Sequence, residues 1–278
     1  MNSLLKNAVL ATVFALVCVS VAAQQQKPYE PHVGQAGKDV IWVPTPDEVV
    51  DRMLRMAQVT KDDYVVDLGA GDGKIAIAAA KKFGARSMGI EYNPDMARFA
   101  QSNVVKAGAT DRAKIVQGDI FASDFTSATV VTMYLLPGLN MKLRPQLLQM
   151  RPGTRIVSHS FTMEDWQPDE TSSMDGRRAY FWVVPAQVMG SWTLEFGPEK
   201  RELSIEQRFQ KIDGSVAYGS TQVGLREAAL RGFVIGFSYV DQAAVKRDFS
   251  GRVLGGGRME GSFKADNGSE GRWTATKK

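Results

Sequence analysis

One stretch constrains the fold of this 278-residue chain more than any other: Tyr64 to Glu91, YVVDLGAGDGKIAIAAAKKFGARSMGIE. Tyr64-Val65-Val66 is a short apolar run of strand type that ends in Asp67, and Gly69, Gly71 and Gly73 follow at every second position. From Lys74 the run Ile75 to Ala80 has helix-forming composition. A second apolar run, Ser87 to Ile90, closes on Glu91. Strand, glycine turn, helix and strand make a βαβ unit whose second strand ends in an acid.

Each residue type carries a chemical expectation. Glycines let the backbone turn sharply and approach a ligand closely. The new helix presents unpaired N–H groups beside that turn. An acid ending the second strand can accept both hydroxyls of a ribose. The unit therefore predicts nucleoside binding. A dinucleotide fold wants G-x-G-x-x-G, but counting from Gly69 the third glycine position falls on Lys74. Asp119 follows a third strand-like run, Lys114 to Gln117. Asp67, Glu91 and Asp119 then end neighbouring strands, where open α/β sheets bind ligands. Three acids suit a cationic ligand better than a pyrophosphate. S-adenosylmethionine (SAM) carries a sulfonium and an ammonium and no phosphate.

The segments D-L-G-A-G-D-G at 67–73, G-I-E at 89–91 and Q-G-D-I-F at 117–121 resemble the successive cofactor segments of the class I, seven-strand, SAM-dependent methyltransferases. The resemblance covers about Trp42 to Pro185. It implies a Rossmann-like α/β sheet, SAM as cofactor, and Thr45, Asp67, Gly69, Gly71, Gly73, Glu91 and Asp119 as cofactor-binding residues. It places Asp119 near the adenine amino group and the Pro44-Thr45-Pro46 turn over the methionyl end. It also places the end of the fourth strand, Tyr134-Leu135-Leu136-Pro137, beside the transferred methyl, with Tyr134 positioning the acceptor. That segment lacks the Asn/Asp-Pro-Pro-aromatic signature of DNA and glutamine methylases. The V-D-L-G-x-G-D-G-[KR] loop with an N-terminal apolar segment is similar to that of the small protein-lysine methyltransferases of mitochondrial inner membranes and their bacterial relatives. That similarity implies a protein lysine as acceptor, and the chain departs from it by a long β-rich tail.

Residues 1–23 read as a secretory signal with Lys6 as their only charge, an apolar run from Ala8 to Val19, and Val21-Ala22-Ala23 before the expected cut. The alternative is an uncleaved inner-membrane anchor, which would bring membrane contact. The expected location is accordingly exported and periplasmic, or inner-membrane-anchored. Export conflicts with the cytoplasmic origin of SAM, so a non-catalytic SAM-fold binding module stands as a second reading. Cys18 is the only cysteine, so a cleaved chain would form no disulfide. Residues 24–43 read as an extended lead-in. Thr45-Pro46-Asp47-Glu48 reads as a capping box, with Thr45 the N-cap of a helix whose buried face is Val49, Val50, Met53, Met56 and Ala57.

Asn93-Pro94 starts another helix, and Thr129 to Tyr134 is a fourth strand. Leu139 to Met150 is helical in pattern, with Pro145 expected to divide it. Arg155 to Ser158 is a fifth strand, followed by His159, which is expected to hold a structural hydrogen bond. Phe161 to Arg178 reads as irregular, and Ala179 to Val184 as a sixth strand. The methyltransferase part is thus bounded at 44–186. From 187 to 278 alternation at period two takes over, and Asp213-Gly214 and Asn267-Gly268 are turn signals. That tail reads as a small antiparallel domain of six to eight strands. Trp192-Thr193-Leu194 is either its first strand or the last of the preceding sheet. The net charge of +4 is spread along the chain, and no basic run argues for nucleic acid. No metal-ligand cluster is visible. The acceptor is otherwise unspecified, and a small-molecule acceptor remains an alternative.

Overall fold

The structure is a computed structural model in which residues 29–278 are described. The expected signal or anchor at 1–23 and the first part of the lead-in lie outside the described residues. No described helix is long and apolar enough to cross a membrane.

The first sheet is built from β1 (Tyr64–Leu68), β2 (Arg86–Glu91), β3 (Ala113–Gln117), β4 (Val130–Met133), β5 (Arg155–His159), β6 (Glu170–Met174) and β7 (Arg177–Val183). Their spatial order is β3-β2-β1-β4-β5-β7-β6. Strands β1 to β5 pair in parallel, and β7 pairs antiparallel with both β5 and β6. Helices α1 (Asp47–Met56), α2 (Lys74–Phe83), α3 (Pro94–Lys106) and α4 (Pro137–Leu148) accompany it.

Period-two alternation assigns the strand residues to two cores. Val65, Val130, Val157 and Phe181 face a cluster with Val49, Met53 and Leu54 of α1 and with Ile75 and Ala79 of α2. Their neighbours Val66, Val131, Ile156 and Trp182 face a second cluster with Leu143 and Leu147 of α4. Both faces are covered, which is why these strands read as unbroken apolar runs. Met53 and Leu54 are fully buried, and each side chain of that kind contributes about 1.5–3 kcal/mol.

Several local expectations are corrected. The N-cap of α1 is Pro46, with no side-chain capping bond. Thr45 is buried and spends its hydroxyl on a distant partner, His159, so the capping box does not form. Pro145 lies inside a continuous α4. A proline interior to a helix costs about 3 kcal/mol, and burial of Leu143 and Leu147 offsets it. The segment 161–178 holds β6, an edge strand whose Thr171, Ser172 and Ser173 carry no apolar signal. It turns into β7 through Asp175-Gly176, both at positive φ, as a two-residue hairpin turn requires. The strand expected as sixth is therefore the seventh.

The second sheet has nine strands, one more than the upper expectation: β8 (Gly190–Phe196), β9 (Glu199–Arg208), β10 (Lys211–Tyr218), β11 (Thr221–Gly224), β12 (Arg226–Arg231), β13 (Val234–Val240), β14 (Lys246–Leu254), β15 (Arg258–Ala265) and β16 (Glu270–Lys277). Trp192 to Leu194 lie in β8, the first strand of this sheet. The order is β11-β10-β9-β8-β16-β15-β14-β13-β12, all antiparallel, so the last strand returns to pair with the first. Leu225 N–H donates to Gly214 O at 2.8 Å, carrying the β10–β11 ladder on to the start of β12. The result is a nearly closed barrel filled by Trp192, Phe237, Phe249, Phe263 and Trp273.

Candidate functional site

The sheet register brings the motif residues together. Asp67 stands beside Gly89 of β2 and Thr132 of β4, and Glu91 pairs with Gln117, two residues before Asp119. Gly69, Gly71 and Gly73 have φ of 80°, 53° and 81°, a left-handed run that side-chain-bearing residues disfavour. The turn opens on a cavity of about 300 Å³ lined by Asp67, Gly69, Gly71, Glu91, Asp119, Thr45 and Tyr134. Gly73, the N-cap of α2, contributes its turn geometry and stands behind the lining, against Ala100 and Ile115.

The turn's donors at Gly69, Ala70, Gly71 and Gly73 are spent inside the protein. Gly69 and Ala70 N–H both donate to Ile90 O at 3.0 Å, and Gly73 N–H donates to Ala70 O at 2.9 Å. Gly71 N–H donates to Glu91 Oε2 at 2.9 Å, and Lys74 N–H donates to Asp72 Oδ1 at 3.1 Å. Glu91 and Asp72 thereby occupy the amides of Gly71 and Lys74. A phosphate cradle needs those amides. The lining charges agree: Asp39, Asp67, Asp72, Glu91 and Asp119 face two lysines, and Lys38 and Lys74 are each in an ion pair, with Asp119 at 2.7 Å and Asp47 at 2.9 Å. Such a lining fits a phosphate-free cationic nucleoside.

Burial sets the protonation of the deeper acids. Asp67 is 2% exposed, and burial pushes its carboxyl up to about 7, against the Thr132 hydroxyl that donates to it at 2.7 Å; the nearby Asp72 and Glu91 raise it further. Burial also raises Asp72 and Glu91, opposed by the backbone N–H groups they accept. Asp119, at the rim, is held below the usual carboxylate range by its bond to Lys38.

Residues 35–43 of the lead-in form a strap over the site. Its chain turns back on itself through Gly37 N–H to Val40 O at 2.9 Å and an Ala36–Ile41 bridge. Lys38 stands 4.6 Å from the Tyr92 ring centre, and the Trp42 indole covers Gly71 so closely that a Cβ there would lie 2.5 Å from Nε1.

At the β4 end of the cavity, Tyr134 lies 4.0 Å from His159 and 6.3 Å from Phe161 between ring centres. His159 Nδ1 and Thr45 Oγ1 are 3.3 Å apart. Burial pushes the His159 imidazole down to about 4, with Arg177 adding to the effect, so it is neutral at pH 7. It is 3% exposed and stands behind Tyr134, in keeping with a structural hydrogen bond. Sequence reading missed Lys38, Trp42, Asp72 and Phe161. The one available signal was Trp42, a lone indole in a polar lead-in.

The family model described as the ANTKMT methyltransferase domain matches residues 67–170. A protein-lysine N-methyltransferase of Saccharolobus islandicus (strain REY15A) is 46% identical over 162 residues, covering 56% of this chain and 96% of that protein. An adenine nucleotide translocase lysine N-methyltransferase of Mus musculus is 31% identical over 139 residues, covering 50% of this chain and 56% of that protein. The chain thus spans nearly all of the first relative and little more than half of the second. A solved structure of an RNA methyltransferase from Salinibacter ruber, in complex with S-adenosyl-L-homocysteine, is 50% identical with a TM-score of 0.52, covering 52% of this chain and 96% of that one.

Proposed function

The chain belongs to the class I SAM-dependent methyltransferases, and on that premise we propose that it transfers methyl groups from SAM to lysine side chains of proteins. The observation that carries this reading is the acid-lined cavity behind a glycine turn whose Gly69, Ala70, Gly71 and Gly73 amides are bonded inside the protein. It favours a cationic cofactor and disfavours a polyanionic acceptor. The lysine-directed names of two relatives support the same acceptor, whereas the Salinibacter protein is named for RNA.

We assign Glu91 to the ribose, Asp119 to the adenine edge, and Asp67, Thr45 and the Gly69–Gly73 turn to the rest of the cofactor. Bound SAM supplies an electrophilic methyl group on a good leaving group. The chain aligns the acceptor and excludes water. Tyr134 and Phe161 orient the lysine nitrogen, while Leu135 and Leu139 give that end of the cavity an apolar lining. Desolvation there favours the neutral amine, which loses its proton to water before it attacks. For cellular location we propose export, or anchoring in the inner membrane, through residues 1–23; the apolar run Ala8 to Val19 supports it, and sequencing the mature N-terminus tests it.

The decisive experiment incubates the purified chain with isotopically labelled SAM and whole extract of a deletion strain, then maps the label by mass spectrometry. Label on protein lysines is expected. Label confined to RNA or to small molecules refutes the lysine reading, and calorimetry showing no heat of SAM binding refutes the enzyme reading.

A further inference from the structure

Barrel hairpins usually turn in solvent, but the β9–β10 turn, Phe209-Gln210, is half-buried. Phe209 packs against the core shared with α4 and stacks on Trp166 at 5.9 Å, with the planes 20° apart. Gln210 Oε1 accepts from Trp166 Nε1 at 3.0 Å, and its Nε2 donates to Gln167 O at 2.7 Å. Arg208 pairs with Asp165 at 3.2 Å. The barrel therefore grips residues 165–167 of the loop that follows β5.

The other end of that loop forms the acceptor wall. Phe161 lines the cavity and stacks on Tyr134. It follows Ser160, a non-glycine residue at φ 64°, a conformation that persists only when its surroundings impose it. Asn140 of α4 donates to Phe161 O and Thr162 O at 3.3 and 3.1 Å. Arg144, one turn further along α4, joins the two ends. It donates to Met163 O at 3.2 Å, pairs with Asp165, and lies 5.4 Å from the Phe209 ring.

We propose that the β9–β10 turn of the barrel is a positioning element for methyl transfer: Phe209 and Gln210 fix the loop 160–167 and thereby set the place of Phe161 against Tyr134. Neither residue touches substrate; they act through Trp166 and Arg144. This support comes from the barrel, outside residues 67–170 that the methyltransferase family model matches. It rests on the reading of Tyr134 and Phe161 as the acceptor wall.

The test compares the full chain with Phe209→Ala, Gln210→Ala and the conservative Phe209→Tyr. Hydrogen exchange followed by mass spectrometry reads the loop without any acceptor. Amides at 161–167 are expected to exchange about tenfold faster in both alanine variants, with those at 69–73 unchanged and Phe209→Tyr close to wild type. With poly-L-lysine as acceptor, kcat/KM should fall about tenfold while the SAM Kd stays within about twofold. Unchanged exchange at 161–167 in both alanine variants overturns the proposal. So does exchange that rises equally at 69–73, which marks general loosening. If the wild type methylates no lysine, the lysine reading fails, and the exchange measurement still decides this one.

Discussion

Replacing Gly71 by alanine tests how tightly the strap and the glycine turn are joined. Two costs are built into the site. An L residue at φ 53° costs about 1–2 kcal/mol. Its Cβ would also lie 2.5 Å from Trp42 Nε1 and 2.9 Å from Cδ1, so the indole must move. Overpacking of that kind costs about 1–3 kcal/mol. Gly71→Ala should therefore lose about 2–5 kcal/mol of folding stability in the wild-type background. In a Trp42→Ala background only the backbone strain remains, about 1–2 kcal/mol. The coupling between the two positions is the difference, about 1–3 kcal/mol. Urea denaturation of all four variants, followed by far-ultraviolet circular dichroism, measures it. Equal losses in both backgrounds would show that the indole does not rest on the turn, and the strap would cease to be part of the site.

Three further outcomes follow from the same geometry. Asp67 is raised to about 7 from 3.8, so a cationic ligand must drive out its proton at lower pH. SAM affinity should rise as pH increases from about 6 to about 8, and Asp67→Asn should flatten that slope; an unchanged slope by calorimetry would remove Asp67 from the cofactor site. In the free protein the sign is opposite. A raised carboxyl adds stability fully present below 3.8 that is lost as pH climbs through about 7. Tyr134→Phe keeps the ring contacts with His159 and Phe161, whereas Tyr134→Ala removes them. The alanine variant should lower kcat by about 10–100-fold with SAM binding intact, and full activity in it would dismiss the positioning role. Lys38→Ala frees the strap from Asp119 without touching a core, so SAM should dissociate faster at unchanged stability. Stopped-flow fluorescence reads this, and an unaltered off-rate argues against a strap that retains the cofactor.

The sequence alone determined the parallel sheet and the alignment of its acids. Both rest on local rules. Period-two burial makes a strand covered on both faces read as a continuous apolar run, and glycines at alternate positions fix a left-handed turn. Once β1, β2 and β3 lie side by side, Asp67, Glu91 and Asp119 have nowhere else to go than the same cavity. The tertiary structure decided which partner each polar group took. Thr45 could cap a helix or bond a histidine, and only the approach of β5 selects the second. Glu91 and Asp72 could leave the Gly71 and Lys74 amides open, and only their burial beside the turn closes them. Lys38, Trp42 and the Phe209-Gln210 turn act across long stretches of chain, where no local period records the contact. Sequence periodicity encodes which face a residue presents, and the packed fold alone decides what that face meets.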